Sequence, residues 1–303
     1  MKRHIFLLQL LLVTSIITFS SCNSNNKNNG CLKGVFSVSE AKKIHFSQGN
    51  LQYQASTNTW RFAENQWDIV GDDNEGNVYI GEVKSNNNSV SEKYDGWIDV
   101  FCWGTGLNPC FVYPNASDLR VFNDWGANAI SNGGNEPNKW RTLTRQEVEY
   151  IFKGRSNAEK LFAFGRVNGR KGLIILPDDW TTPKGLEFCP STSKGMTMQN
   201  DSYYGNGKEE LYSHNNYIGE QWNDMETAGA VFLPATGYRA NVYSLEFTLP
   251  ILGAGQTGYY WLSSPYFRSE AYLLCFSPIC FTPISTADRI YGQSVRLVCS
   301  CAQ

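Results

Sequence analysis

Apolar and polar residues alternate along this chain in short bursts, a pattern that predicts strands far more often than helices. Val35, Phe36, Ser37 and Val38, then Ile44, His45 and Phe46, precede Gly49 and Asn50; beyond them Leu51, Gln52 and Tyr53, then Trp60, Arg61 and Phe62, alternate as half-buried strands do. These patches predict an opening β-meander. Thr144 with Glu147 three residues on fits a capping box, and Val148, Ile151 and Phe152 then share one face, so a helix is expected from Thr144 to near Gly154. The apolar runs 173–176 and 230–233 each stop at a proline, which predicts central strands buried on both faces. Residues 72–96, a stretch reaching Gly134 and residues 192–217 read as long polar loops, with Trp97, Phe101 and Trp103 between the first two. No internal repeat interrupts this order.

The first residues set an address. Lys2, Arg3 and His4 precede the apolar run 5–17, too short for a spanning helix and followed by small polar residues, so residues 1–21 are expected to be a secretory signal. Cys22 follows Phe19, Ser20 and Ser21, which resembles a bacterial lipobox with Phe19 in place of the usual Leu. Cleavage before Cys22 and acylation of its sulfur would hold the protein on a membrane without a transmembrane helix. Residues 22–31, rich in Asn, Ser, Lys and Gly, would form a flexible tether, leaving residues 32–303 as one domain.

Composition narrows the options. With 42% hydrophobic and 14% aromatic residues the chain can fill a large core, and a net charge of −2 gives no electrostatic case for nucleic acid. Of nine cysteines, those at 31, 102, 110, 189, 275, 280, 299 and 301 are irregularly spaced with no CxxC pair, which argues against a zinc site. Cys102 and Cys110 could close a short loop or stay as two buried thiols, and Cys299 and Cys301 are too close to bridge comfortably. Only three histidines exist, one of them in the signal, which leaves no base for a Ser or Cys triad.

The most telling stretch is the C-terminal one, where two strand patterns, 259–261 and 294–298, enclose a mixed middle like a recognition surface on a fixed scaffold. Together with LKGVFSVSEAKKIHFSQGNLQYQ, WRTLTRQEVEYIF, GLIILPDDW and GAVFLPATGYR, the phrases GYYWLSS and GQSVRLV make residues 32–298 resemble the Fibrobacter-type major paralogous domain of exported gut-bacterial lipoproteins. The resemblance implies an α+β, C-type-lectin-like fold: small twisted antiparallel sheets, one or two helices and long packed loops. It implies a scaffold and supplies no ligand.

Some members of that lectin-like group are diversified by retroelements whose reverse transcriptase errs at adenines, so their variable codons never give Lys, Gln, Glu, Met or Trp. From Ser263 to Tyr291 only Glu270 lies outside the permitted set. Leu273, Cys275, Ser277, Ile279, Cys280, Thr282, Ile284, Ser285, Thr286, Ala287, Ile290 and Tyr291 are the expected diversified positions; drift without such a system is the alternative. Tyr266, Phe267, Leu273, Cys275, Ile279, Phe281, Ile284, Ile290 and Tyr291 are the expected ligand-binding residues, with rigid apolar area among them. Period-2 alternation sends Tyr272, Leu274 and Phe276 to the core and Leu273 and Cys275 to the surface.

Three other signals carry little weight. Glu136, Pro137 and Asn138, and Trp222, Asn223 and Asp224, spell lectin calcium tripeptides, but 83 residues separate them and no acidic cluster flanks either. Asp178 and Asp179 read as a turn or cap. Cys275 and Cys280 share the spacing of the formylglycine-generating enzymes' cysteine pair, without the rest of that enzyme's pattern or a cationic neighbour. The expectation is therefore a non-enzymatic, exported, lipid-anchored protein without cofactor or metal, facing the periplasm or the cell surface. Its C-terminal surface would bind an unknown protein or glycan there. The alternatives are a structural or adhesive envelope lipoprotein without a dedicated ligand and, last, a formylglycine-generating-type oxidase.

Overall fold

A computed structural model describes residues 29–70, 93–109, 119–206, 210–239 and 251–301. Its architecture is α+β, with small sheets and two short α-helices. Cys22 and Cys110 lie outside the described residues, as do the proposed signal and most of the tether. Among the described residues no helix is long and apolar enough to cross a membrane.

The opening strands form as expected but not as one meander. Phe36–Ser37 pairs with Lys43–Phe46, and Leu51–Gln54 pairs with Thr59–Phe62 in a different sheet. The C-terminal strand Leu297–Ser300 separates them: it occupies the other side of Lys43–Phe46, and the Ser47 N–H donates to the Leu297 carbonyl at 2.9 Å. The Leu51 N–H in turn reaches the Val295 carbonyl at 2.9 Å. The chain's end thus takes the hydrogen bonds a meander would have made locally.

Thr144 caps its helix as the sequence predicts. Its hydroxyl accepts from the Glu147 N–H at 3.3 Å, its own N–H donates to Glu147 Oε2 at 2.9 Å, and Arg141 grips the same carboxylate through two 2.7 Å bonds. The helix Arg145–Glu149 widens into a π-helical turn, Tyr150–Gly154, and stops at the expected glycine. Val148, Ile151 and Phe152 are buried on one face, with Phe152 meeting Phe281 edge-on at 4.8 Å.

Arg170–Ile175 is a central strand between Phe162–Val167 and Val231–Pro234, and its apolar run is sealed. Val231–Pro234 is buried too, yet lies at the sheet's edge among the described residues, a correction to its expected central place. A side chain replaces the missing strand: Gln66 Oε1 accepts from the Phe232 N–H at 2.7 Å. Residues 192–217 are more than a polar insertion. Thr197–Gln199 and Ser202–Tyr204 form a hairpin across Asn200 and Asp201, both at positive φ, and Asn215–Tyr217 adds a parallel strand beside Phe162–Val167.

The seven-stranded sheet positions the candidate site. Its order is Thr197–Gln199, Ser202–Tyr204, Cys280–Asp288, Glu270–Phe276, Gly258–Pro265, Gln293–Ser294 and Val100–Phe101. One face carries Tyr260, Leu262, Leu274, Phe276 and Phe281 into a core shared with the capped helix and the Phe162–Val167 sheet. The opposite face carries Trp261, Ala271 and Leu273 into a second core, rich in tryptophan, with Trp60, Phe101, Trp103 and Trp125. A third cluster gathers Trp222 and Met225 of the helix Gly219–Thr227 against Ile174 and Phe232.

Candidate functional site

Register decides what the C-terminal strands can present. Glu270–Phe276 pairs with Gly258–Pro265 so that Tyr259 stands opposite Cys275, Tyr260 opposite Leu274 and Trp261 opposite Leu273. On its other side Cys275 faces Thr282 and Leu273 faces Ser285, with a register shift between the two pairs. Tyr259, Cys275, Thr282 and Ser285 therefore share a face with Trp261 and Leu273. The second core covers one half of that face and leaves the other half partly open.

This geometry corrects two expected site residues. Leu273 is 1% exposed and Phe281 is fully buried, so neither can touch a ligand. Alternation correctly separates Leu274 and Phe276 from Leu273, but both faces of the strand are roofed at Leu273, on its own side by the second core with Trp60, Phe101 and Trp125. Phe281 points the other way, among Phe152, Phe162 and Tyr203. Neither position is one where diversification could proceed without cost to the core.

The remaining expected residues fall into separate patches. Tyr266 and Phe267 are exposed in the turn after Gly258–Pro265, where Tyr266 meets Tyr272 at 5.1 Å and Arg268 lies over Phe267 at 4.9 Å. Ile279 is 70% exposed at the opposite end of the hairpin, where its carbonyl accepts from the Gly205 N–H at 3.0 Å. A seven-residue strand separates the two ends, about 20 Å at the usual rise. Ile284 is half-buried and packs on the first core, and Ile290 is half-buried against Cys102 and Leu119.

Cys275 and Tyr291 do come together, with two residues the sequence reading passed over. Tyr238 meets Tyr259 edge-on at 4.8 Å and Tyr291 at 6.1 Å, and Tyr259, Cys275, Ala287 and Tyr291 are half-buried at the margin of the second core. Ser285, Thr282 and the exposed Tyr204 continue this hydroxyl-rich face. The signal for Tyr259 was present in GYYW: if Tyr260 and Leu262 point to one core, Tyr259 must point elsewhere. Nothing local marks Tyr238, which its pairing with Leu252 and the neighbouring contact of Arg239 with Gly292 bring in.

The frame beneath is fixed by buried polar groups. Arg289 donates to the carbonyls of Glu270 at 3.0 Å and Leu119 at 3.1 Å while lying 4.5 Å over Trp103, which pins the base of the Ile290 and Tyr291 turn. Arg296 is buried with its guanidinium on Gln66 Oε1 at 2.7 Å and Asn50 Oδ1 at 3.3 Å, and burial lowers its pKa to about 10. Asp99, also buried, is pushed up to about 7 by desolvation, which outweighs the Val70 N–H and the pull of Arg239.

The open half-face presents aromatic, thiol and hydroxyl groups. Burial raises the Cys275 thiol above its ordinary value despite its bonds to Ser285 and Thr282, the reverse of what activates a cysteine. Asp178 ties two segments together, accepting from Ser37 N–H at 3.0 Å, Ser37 Oγ at 2.6 Å and Arg155 at 3.2 Å. Trp222, Asn223 and Asp224 sit in the second helix, and Glu136, Pro137 and Asn138 in an exposed turn before Trp140. An open groove of about 540 Å³ lies elsewhere, between Lys42, Arg141 and Cys301, where Arg141 is already paired with Glu147. Comparison with models of known protein families, with curated proteins and with solved structures finds no match.

Proposed function

We propose that this chain is an exported, lipid-anchored binding protein whose open half-face of the seven-stranded sheet recognises a macromolecular partner, a protein or glycan of the cell surface. The observation that carries this reading is the tyrosine trio Tyr238, Tyr259 and Tyr291, half-exposed, with Tyr238 edge-on to Tyr259 and tilted against Tyr291, beside Cys275 on a framework held by Arg289. Tyrosine supplies large, rigid contact area at low entropic cost, and the neighbouring Thr282 and Ser285 add neutral hydrogen-bonding groups. The reading keeps acylation of Cys22, membership of the Fibrobacter-type lectin-like family and retroelement diversification as proposals, with diversification at the expected positions other than the buried Leu273, among them Cys275, Thr282, Ser285, Ala287 and Tyr291 of this face.

Labelled full chain, applied to intact bacterial cells and to glycans isolated from their envelopes, tests it. The double variant Tyr259→Ser, Tyr291→Ser is expected to bind at least about tenfold more weakly, a loss of two anchor side chains. Equal binding by variant and parent, with both folded, sinks the assignment of this face.

A further inference from the structure

Two cysteines at opposite ends of the folded chain touch. Cys31 Sγ lies 3.2 Å from Cys299 Sγ across 268 residues of sequence. Each is placed by main-chain pairing with the same short segment. Cys31 stands opposite Ser47, fixed by the Leu32 N–H on the Phe46 carbonyl at 2.9 Å and the Gln48 N–H on the Gly30 carbonyl at 2.7 Å. Cys299 stands opposite His45 in the ladder of Leu297–Ser300 with Lys43–Phe46.

We infer that Cys31 and Cys299 are oxidised to a disulfide that staples the entry of the domain to its last strand. The oxidant is an external disulfide, carried by a thiol oxidoreductase or a small thiol. The half-exposed Cys31, as thiolate, attacks one sulfur of that disulfide and expels a thiolate; the Cys299 thiolate then attacks the Cys31 sulfur and expels the second. Two protein thiols become one S–S bond, and the two protons they lose pass through water to the two expelled thiolates, so the external disulfide is reduced to two thiols. The Cys299 thiol is already held below its ordinary pKa by its contact with Cys31, with Lys139 adding positive potential against the opposing effect of burial.

Three of the other described cysteines have polar partners of their own. Cys102 donates to the Ile290 carbonyl at 3.2 Å, Cys189 meets Ser193 at 3.5 Å, and Cys280 meets Ser277 at 3.3 Å. The staple would close a loop of nearly the whole described chain, and long loops are where cross-links constrain the unfolded state most. It would also act where fraying starts, since chain ends open first and Gly30 and Cys31, the last residues of the expected flexible tether, are instead paired to Gln48 and Ser47 at the edge of the domain. This inference is independent of the binding reading.

The full chain, purified reduced and then incubated with glutathione disulfide, is alkylated, digested and mapped by mass spectrometry. A linked peptide pair containing Cys31 and Cys299, two hydrogens lighter than the reduced pair, is expected, with a melting temperature about 5 °C above that in reductant. Cys31→Ser and Cys299→Ser should each abolish that shift. Alkylation of both cysteines after oxidation, linkage of Cys31 to Cys301 instead, or a shift that survives in Cys31→Ser overturns the inference. Because the oxidation is done in solution, the result stands whether or not the chain is exported.

Discussion

The Phe162–Val167, Arg170–Ile175 and Val231–Pro234 sheet and the C-terminal hairpin 258–288 are both built from apolar, strand-forming sequence, yet one is sealed and the other half-open. In the first, strands one apolar run long are covered on both sides, and even the edge N–H of Phe232 is taken by Gln66. In the second, Glu270–Phe276 is roofed at Leu273 but opens two residues later at Cys275 on the same face. Alternation tells which residues share a face; it does not tell whether that face has a roof. A binding surface on a sheet is therefore set by how far the neighbouring core extends over it.

The most damaging way to test that contrast is to open the sealed sheet. Gln66→Leu would strip the acceptor from both Phe232 N–H and Arg296, and with it the Gln66 bond to Glu226 at 2.9 Å. Leaving a buried guanidinium without this partner should cost about 3–5 kcal/mol in urea unfolding. A cost below about 1 kcal/mol would mean that the edge is closed by something else. Next comes Leu273→Ala, expected to cost about 2–5 kcal/mol because the residue lies in the second core beside Trp261. Loss of binding without loss of stability there would restore Leu273 to the surface.

A pH series probes the polar support of the same core. Asp99 is raised from its ordinary 3.8 to about 7, so between those values the folded chain holds a proton that the unfolded chain has released. Its contribution to stability is thus complete below about pH 4 and falls as pH rises to about 7, by at most about 1.4 kcal/mol per pH unit. Asp99→Asn should flatten that part of the stability curve measured by urea titration; an unchanged slope would assign it to other groups.

How much of this was readable beforehand depends on distance along the chain. The Thr144 cap, the Gly154 stop, the sealed run 173–175 and the separation of Leu274 and Phe276 from Leu273 are local patterns, and the sequence carries them. The roof over Leu273 is not local: Trp60, Phe101 and Trp125 come from well over a hundred residues away. The same holds for the strand Leu297–Ser300, which splits the expected meander, and for Tyr238, whose place beside Tyr291 depends on a pairing between Arg239 and Gly292. The site reading erred where a long-range partner decided burial, and the exposed Tyr266, Phe267 and Ile279 were legible but do not form one patch.

The smallest expected effect separates the two halves of one face most cleanly. Cys275 and Leu273 sit two residues apart on the same strand and point the same way, so strand propensity and sheet position are nearly matched between them. Cys275→Ala removes one sulfur at the margin of the core, where Tyr259, Thr282 and Ser285 are themselves half-exposed and can relax toward solvent. The loss in urea unfolding should stay below about 1 kcal/mol, against several for Leu273→Ala. A comparable cost at both positions would mean that the second core runs on over Cys275 and that Tyr259 and Tyr291 belong to its wall; a small cost at Cys275 alone places the end of the roof between residues 273 and 275.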